Sequence, residues 1–150
     1  MWGLGILMAT HLVRRLSTMA LYKVETRFVM PVRSLNSSVL KWPDKECVLA
    51  ALDDWVKGQV PLHPEVCAIG YFGSYARGDW GVGSDLDLLI ILSRCDIPFE
   101  RRTLSWPTEQ LPVPTDTLIY TNKEWEQLLE QGAGFHSSIH NDVEWIYLKK

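Results

Sequence analysis

The chain has 150 residues, 47% of them hydrophobic and 22% charged, and a formal net charge of −3. That length suits one domain around a single core, and that balance excludes a generally disordered polypeptide. The charge lacks the basic footprint that marks nucleic acid as the main partner, and no apolar run is long enough to span a bilayer.

Residues Trp2 to Ala9 are apolar and His11 to Arg15 turn basic. A secretory signal places its charge first, so residues 1–20 read as a leader or as a start assigned upstream of Met19. A single domain is then expected over residues 21–150. Tyr22 to Met30 alternate apolar with polar residues, the pattern of a half-buried strand at an edge or in an interface arm. Residues 31–43 read as a loop. Asp44 to Lys57 should be a helix, with Val48, Ala51, Leu52, Trp55 and Val56 on one face. Asp44 is its expected N-cap and Gly58 its stop. Cys47, Cys67 and Cys95 are odd in number and widely spaced, which supports neither a zinc ribbon nor a disulfide framework. Cys67 and Cys95, in or beside apolar runs, are expected as buried free thiols, and a reducing, cytoplasmic compartment is the expectation.

Val66 to Phe72 is apolar without alternation and predicts a central strand covered on both faces. Leu86 to Leu92 is equally continuous and predicts a second one. Between them lies a glycine-rich turn. Phe99 to Trp106 suits a short helix with Arg101 and Arg102 exposed, and Pro107, Pro112 and Pro114 exclude regular structure nearby. Thr115 to Tyr120 reads as a third strand. Thr121 and Glu124 have the spacing of a capping box, starting a helix whose apolar face is Trp125, Leu128 and Leu129. Gly132 and Gly134 should end it. The tail, Ile139 to Leu148, reads as a short helix and then a strand, with Trp145 and Tyr147 in the core.

The chemistry concentrates in residues 73–87. Gly73-Ser74 is followed, after ten residues, by Asp85-Leu86-Asp87. A backbone without side-chain bulk at Gly73 lets a phosphate approach, and the Ser74 hydroxyl can bond one. Asp85 and Asp87 open the second strand, and side chains at i and i+2 share a face with Cα atoms roughly 6.5 Å apart. Two carboxylates so placed can share divalent cations. The bland alternative is a hairpin whose acids merely cap a strand.

This stretch resembles the signature of the DNA polymerase beta-type nucleotidyltransferase superfamily. Gly73-Ser74-Tyr75-Ala76-Arg77-Gly78 and Ser84-Asp85-Leu86-Asp87-Leu88 look most like its minimal nucleotidyltransferase branch. The resemblance covers residues 66–121 firmly. It implies an α/β (α+β) fold, a small mixed β-sheet with helices packed on one face. It also implies transfer of a nucleoside monophosphate from a triphosphate, ATP for choice, with two magnesium ions when the nucleotide is bound. A third carboxylate on the next strand belongs to that pattern, and Asp116 is the natural candidate. Asp85, Asp87 and Asp116 are therefore the expected catalytic and metal-binding residues. Glu109 lies in a proline-rich loop and Glu124 is explained by its capping box, so both are poorer candidates.

Gly73, Ser74, Arg77 and Ser84 are the nucleotide-binding candidates. Arg77 either reaches the triphosphate or pins the turn through Asp79. Ser84 either joins the nucleotide site or bonds the local backbone. Tyr75 and Trp80 either flank the nucleotide or pack. His136 and His140 stand at i and i+4, a zinc spacing on a helix, but no third ligand lies near them in sequence, so solvated histidines are the reading.

Minimal nucleotidyltransferases are often paired with a helical HEPN protein as toxin and antitoxin, so the resemblance implies a partner protein whose tyrosine is adenylylated. Little of the chain remains after Asp116 to grip an acceptor, which points the same way. Two alternatives stand beside this one. One is an antitoxin acting by binding alone, against which the retention of the motif residues speaks. The other is an enzyme acting on a small molecule such as an aminoglycoside.

Overall fold

The computed structural model describes residues 41–132 and 134–150. The expected leader and the strand over 22–30 lie outside them, as does most of the loop over 31–43. Helix α1 spans Lys45–Gln59 and starts as expected: the Asp44 carboxylate accepts the Cys47 N–H at 2.8 Å. Such a cap contributes about 1 kcal/mol. Gly58 does not stop the helix. The α-helical backbone runs through it to Gln59 and tightens into a 3-10 turn, Val60–Leu62, where Pro61 sits at the start and needs no N–H partner.

Four strands follow: β1 (Val66–Phe72), β2 (Leu86–Leu92), β3 (Thr115–Thr121) and β4 (Glu144–Leu148). They form one sheet in the order β3-β2-β1-β4. β1 is antiparallel to both β2 and β4, whereas β2 and β3 are parallel. The two continuous apolar runs are thus the two inner strands. Ile69, Leu88, Ile90 and Ile119 face the Val48, Leu52, Trp55 and Val56 side of α1. Ala68, Leu89, Ile91 and Tyr120 point the other way, toward α3 (Asn122–Glu130) and α4 (Gly134–Asp142), which bring Trp125 and Ile139.

The mixed sheet is as expected, but its helices cover both faces and are not gathered on one. Strands without a polar side require that cover on each face. The three thiols are free and half-buried, so Cys67 and Cys95 are less enclosed than expected. Among the described residues, no helix is long and apolar enough to cross a membrane.

The segment between β2 and β3 holds a second departure. Phe99–Ser105 is a 3-10 helix, and a further 3-10 turn, Thr108–Gln110, follows Pro107 despite the flanking prolines. Arg101 is exposed, but Arg102 is only 6% exposed. Its guanidinium grips the Glu124 carboxylate with two bonds of 2.7 and 2.8 Å. It also donates to the Ile97 and Ile119 carbonyls at 2.9 and 3.0 Å. The pairing holds the Glu124 carboxyl down at about 2, against an ordinary 4.5. Glu124 meanwhile completes the expected capping box, accepting the Thr121 N–H at 2.8 Å while Thr121 Oγ1 accepts the Glu124 N–H at 3.3 Å. One carboxylate therefore caps α3 and clamps the β2–β3 connection to it.

Gly132, at φ 63, ends the turn after α3, but Gly134 opens α4. Trp145 and Tyr147 are half-buried on β4, packed against opposite faces of the core.

Candidate active site

β1 delivers the chain to the motif and β2 takes it away. Phe72, the last residue of β1, lies opposite Asp87 of β2 in the antiparallel ladder. Gly73 then turns at φ 71 and ψ −146, a conformation that side-chain-bearing residues rarely adopt. A Cβ on Gly73 would collide with Asp87 Oδ2. The glycine is therefore required twice, by its backbone and by the carboxylate lying against it.

Ser74 begins a single helical turn, α2 (Ser74–Arg77), where a plain loop was expected. Gly78, at φ 84, closes it by donating its N–H to the Ser74 carbonyl at 2.9 Å.

The carboxylates converge through strand register. Asp87 on β2 and Asp116 on β3 are partners in the parallel ladder, and adjacent strands lie about 4.8 Å apart. Asp85 stands just before β2, two residues ahead of Asp87, and borders the same cleft. All three line one cleft of about 530 Å³, together with Gly73, Ser74 and Arg77. Asp85 and Asp116 are exposed, while Asp87 is half-buried at the back. Burial pushes the Asp87 carboxyl above its ordinary value, the charges of Asp116 and Asp85 add to the push, and Arg77 opposes it.

Of the remaining nucleotide candidates, Arg77 lines the cleft and also stands 3.4 Å from Asp79. The Asp79 contact of the turn-pinning reading is there, in an exposed side chain where a pair of that length contributes little, and the guanidinium also borders the cleft. Ser84 is taken up elsewhere. Its Oγ accepts the Gly81 N–H at 2.8 Å, and it stands outside the cleft lining. Tyr75 is fully buried and stacks on Trp80 at 5.7 Å, which is packing. His136 is half-buried, with Nε2 3.2 Å from the Tyr120 hydroxyl and the ring edge-on to Trp125. Only His140 is the exposed histidine expected of that pair.

The sequence reading missed the opposite wall. Phe135, Ser138, Ile139 and Asp142, all on α4, face the strand carboxylates across the cleft. Phe135 and Ile139 sit at i and i+4, the one signal that could have started this helix earlier than Ile139. Phe135 is 62% exposed and gives the cleft an apolar lip.

Among the described residues, no group of three or more His, Cys, Asp or Glu side chains forms a ready-made metal cluster. The three carboxylates share a cleft without closing into a cage, as mutually repelling anions should. Their donor chemistry suits magnesium, which takes oxygen ligands, keeps several waters and is commonly held by one or two carboxylates plus substrate phosphates. The charge balance points the same way. Among the described residues, Asp85, Asp87, Asp116 and Asp142 face the cleft against Arg77 as its basic side chain, a balance that attracts cations.

A glycine–serine turn thus lies beside Asp85 and Asp87 at the end of an antiparallel hairpin, with Asp116 on the parallel neighbour, and all of them border one cleft. The nucleotidyltransferase domain family matches residues 61–144, more than half of the chain, and the chain belongs to that family. A crystal structure of a candidate nucleotidyltransferase from Sulfolobus solfataricus superposes with a TM-score of 0.52 at 17% identity, covering 70% of this chain and 84% of that one. A crystal structure of a toxin–antitoxin with AMP-PNP gives a TM-score of 0.42 at 14% identity, over 72% of this chain and 76% of that one. At these identities the first likeness bears on the fold alone. No curated protein matches the sequence.

Proposed function

We propose that this chain transfers AMP from Mg-ATP to a hydroxyl of a partner protein, as the antitoxin of a HEPN-type toxin pair. The observation that carries the reading is the convergence of Gly73, Ser74, Asp85, Asp87 and Asp116 on one cleft, with Asp87 and Asp116 on matching rungs. Gly73 and Ser74 offer a close approach for phosphate, and Arg77 offers a guanidinium to its oxygens. Asp85, Asp87 and Asp116 would hold magnesium, which when bound neutralises the departing pyrophosphate and lowers the pKa of the attacking hydroxyl.

Asp116 stands at the outer rung, exposed, where an acceptor can reach it. The acceptor oxygen forms its bond to the α-phosphorus as the bond from that phosphorus to the β-bridging oxygen breaks. The bonding pair leaves with pyrophosphate, and the hydroxyl proton passes to the Asp116 carboxylate and on to water. Most of the rate then comes from positioning and charge neutralisation.

A tyrosine hydroxyl suits the role, because its unperturbed pKa near 10 lies far below that of an aliphatic hydroxyl. The acid-lined cleft and the net charge of −3 disfavour a nucleic-acid acceptor. The reading is tested by incubating the protein and Mg-ATP with the product of its neighbouring gene and measuring intact mass. Addition of one or more AMP units to the neighbour, absent with Asp85→Asn, is expected. No mass shift, together with full neutralisation of the neighbour by Asp85→Asn, would instead make the protein an inhibitor by binding.

A further inference from the structure

A second groove, of about 610 Å³, opens beside the first, and Asp116 belongs to the lining of both. Its other wall is the connection between β2 and β3, including Thr103, Leu104, Ser105, Thr108 and Glu109. This wall is well anchored. Trp55 Nε1 donates to the Pro107 carbonyl at 3.1 Å, and His63 stacks on Trp106 with ring centroids 4.0 Å apart. Arg102 ties the same segment to β3 and α3 through three bonds, to the Ile119 carbonyl and the Glu124 carboxylate, and braces it internally at the Ile97 carbonyl. The groove is thus preformed, and a ligand there would not have to order its walls.

Its chemistry is one-sided. Glu109 and Asp116 supply two carboxylates, the threonines and serine supply hydroxyls, and among the described residues no lysine, arginine or histidine lines it. Leu104 projects at the rim, 83% exposed. A polyanion would be repelled here, whereas a cation would be drawn in.

Resting on the protein-acceptor reading above, we propose that this groove seats the acceptor. Its occupant is a polypeptide segment with a basic residue beside the modified hydroxyl and an apolar residue against Leu104. Seated so, the hydroxyl arrives at Asp116 from the side opposite the nucleotide. The basic side chain meets Glu109, and the two substrates share only the carboxylate that lies between them.

Two short synthetic peptides test this, each with one tyrosine, flanked by lysines in one and by glutamates in the other. ATP labelled at its α-phosphate is the donor. The wild-type protein should label the lysine peptide about two- to fivefold faster, since an exposed charge pair at about 0.5–1 kcal/mol corresponds to that factor. Glu109→Lys should remove the preference, and Leu104→Ser, which adds no charge, should raise KM several-fold for a lysine peptide that also carries a leucine. Both exposed-site variants should bind Mg-ATP as the wild type does. Equal labelling of the two peptides, or a preference that survives Glu109→Lys, would overturn the groove assignment and leave the protein-acceptor reading standing. Labelling of neither peptide would overturn the groove as a peptide seat. Labelling of an RNA oligonucleotide in the same mixture would then overturn the protein-acceptor reading with it.

Discussion

Asp116→Asn should lower nucleotidyl transfer by about a thousandfold or more while leaving Mg-ATP binding within a few-fold of the wild type. The expectation follows from where the residue sits. Asp116 is exposed on β3, an outer strand of the sheet among the described residues, one rung across from Asp87, and it lines both the acid-lined cleft and the groove beside it. Gly73, Ser74, Arg77, Asp85 and Asp87 all remain to hold the triphosphate. What asparagine cannot do is accept a proton from the acceptor or present a full negative charge beside it. The loss should therefore fall on kcat, as for a group whose interaction matters most in the transition state. The amide is nearly isosteric and its site faces solvent, so folding should be little affected. Single-turnover rates together with the Kd for Mg-ATP check the split. Wild-type turnover by Asp116→Asn would remove this carboxylate from the chemistry.

Gly73→Ala should impair the protein in two separable ways. The backbone at φ 71 and ψ −146 strains any side-chain-bearing residue, at about 1–3 kcal/mol of stability. The new methyl group would also collide with Asp87 Oδ2, the far end of a side chain that can swing aside. Relief of that clash thus comes at the expense of the carboxylate's position, and a misplaced reacting group costs about a hundredfold in rate. Gly78→Ala is the control. Gly78 has φ 84, but a Cβ there meets nothing within 4 Å. It should lose comparable stability and keep transfer. Denaturant unfolding and transfer rates on the two variants distinguish strain from displacement. Equal activity in both would mean that the Gly73–Asp87 contact does not matter.

The glycine-rich turn, its two strands and the caps at Asp44 and Thr121 were legible because each depends on neighbours close in sequence; Asp116 as a third carboxylate rested on the family resemblance. What was not legible depends on distance along the chain. Arg102 reads as a surface arginine because nothing near it announces Glu124, 22 residues away. The α4 wall of the cleft, with Phe135 and Asp142, comes from a tail whose apolar positions are too few to fix a helix start. Helices on both faces follow from the unbroken apolar runs of β1 and β2; the one-faced arrangement came with the family resemblance. Gly58 and Gly134 show that a glycine terminates a helix only where the backbone turns left-handed: Gly132 does so at φ 63, and neither of the others has a positive φ. Ser84 lies inside the motif, yet the turn it closes takes its hydroxyl.

This acid-lined cleft should bind a nucleoside triphosphate through a divalent cation. The direct test is calorimetric titration of ATP into the wild type and Asp87→Asn, each with magnesium and with the metal chelated. Asp87 is the innermost of the three carboxylates, pressed by its own burial and by the charges of Asp116 and Asp85, and a cation relieves that repulsion. Magnesium alone should bind weakly. ATP should bind the wild type only with magnesium, and Asp87→Asn should lose most of that affinity. Equal ATP binding after chelation, or unchanged Mg-ATP affinity in Asp87→Asn, would contradict the account.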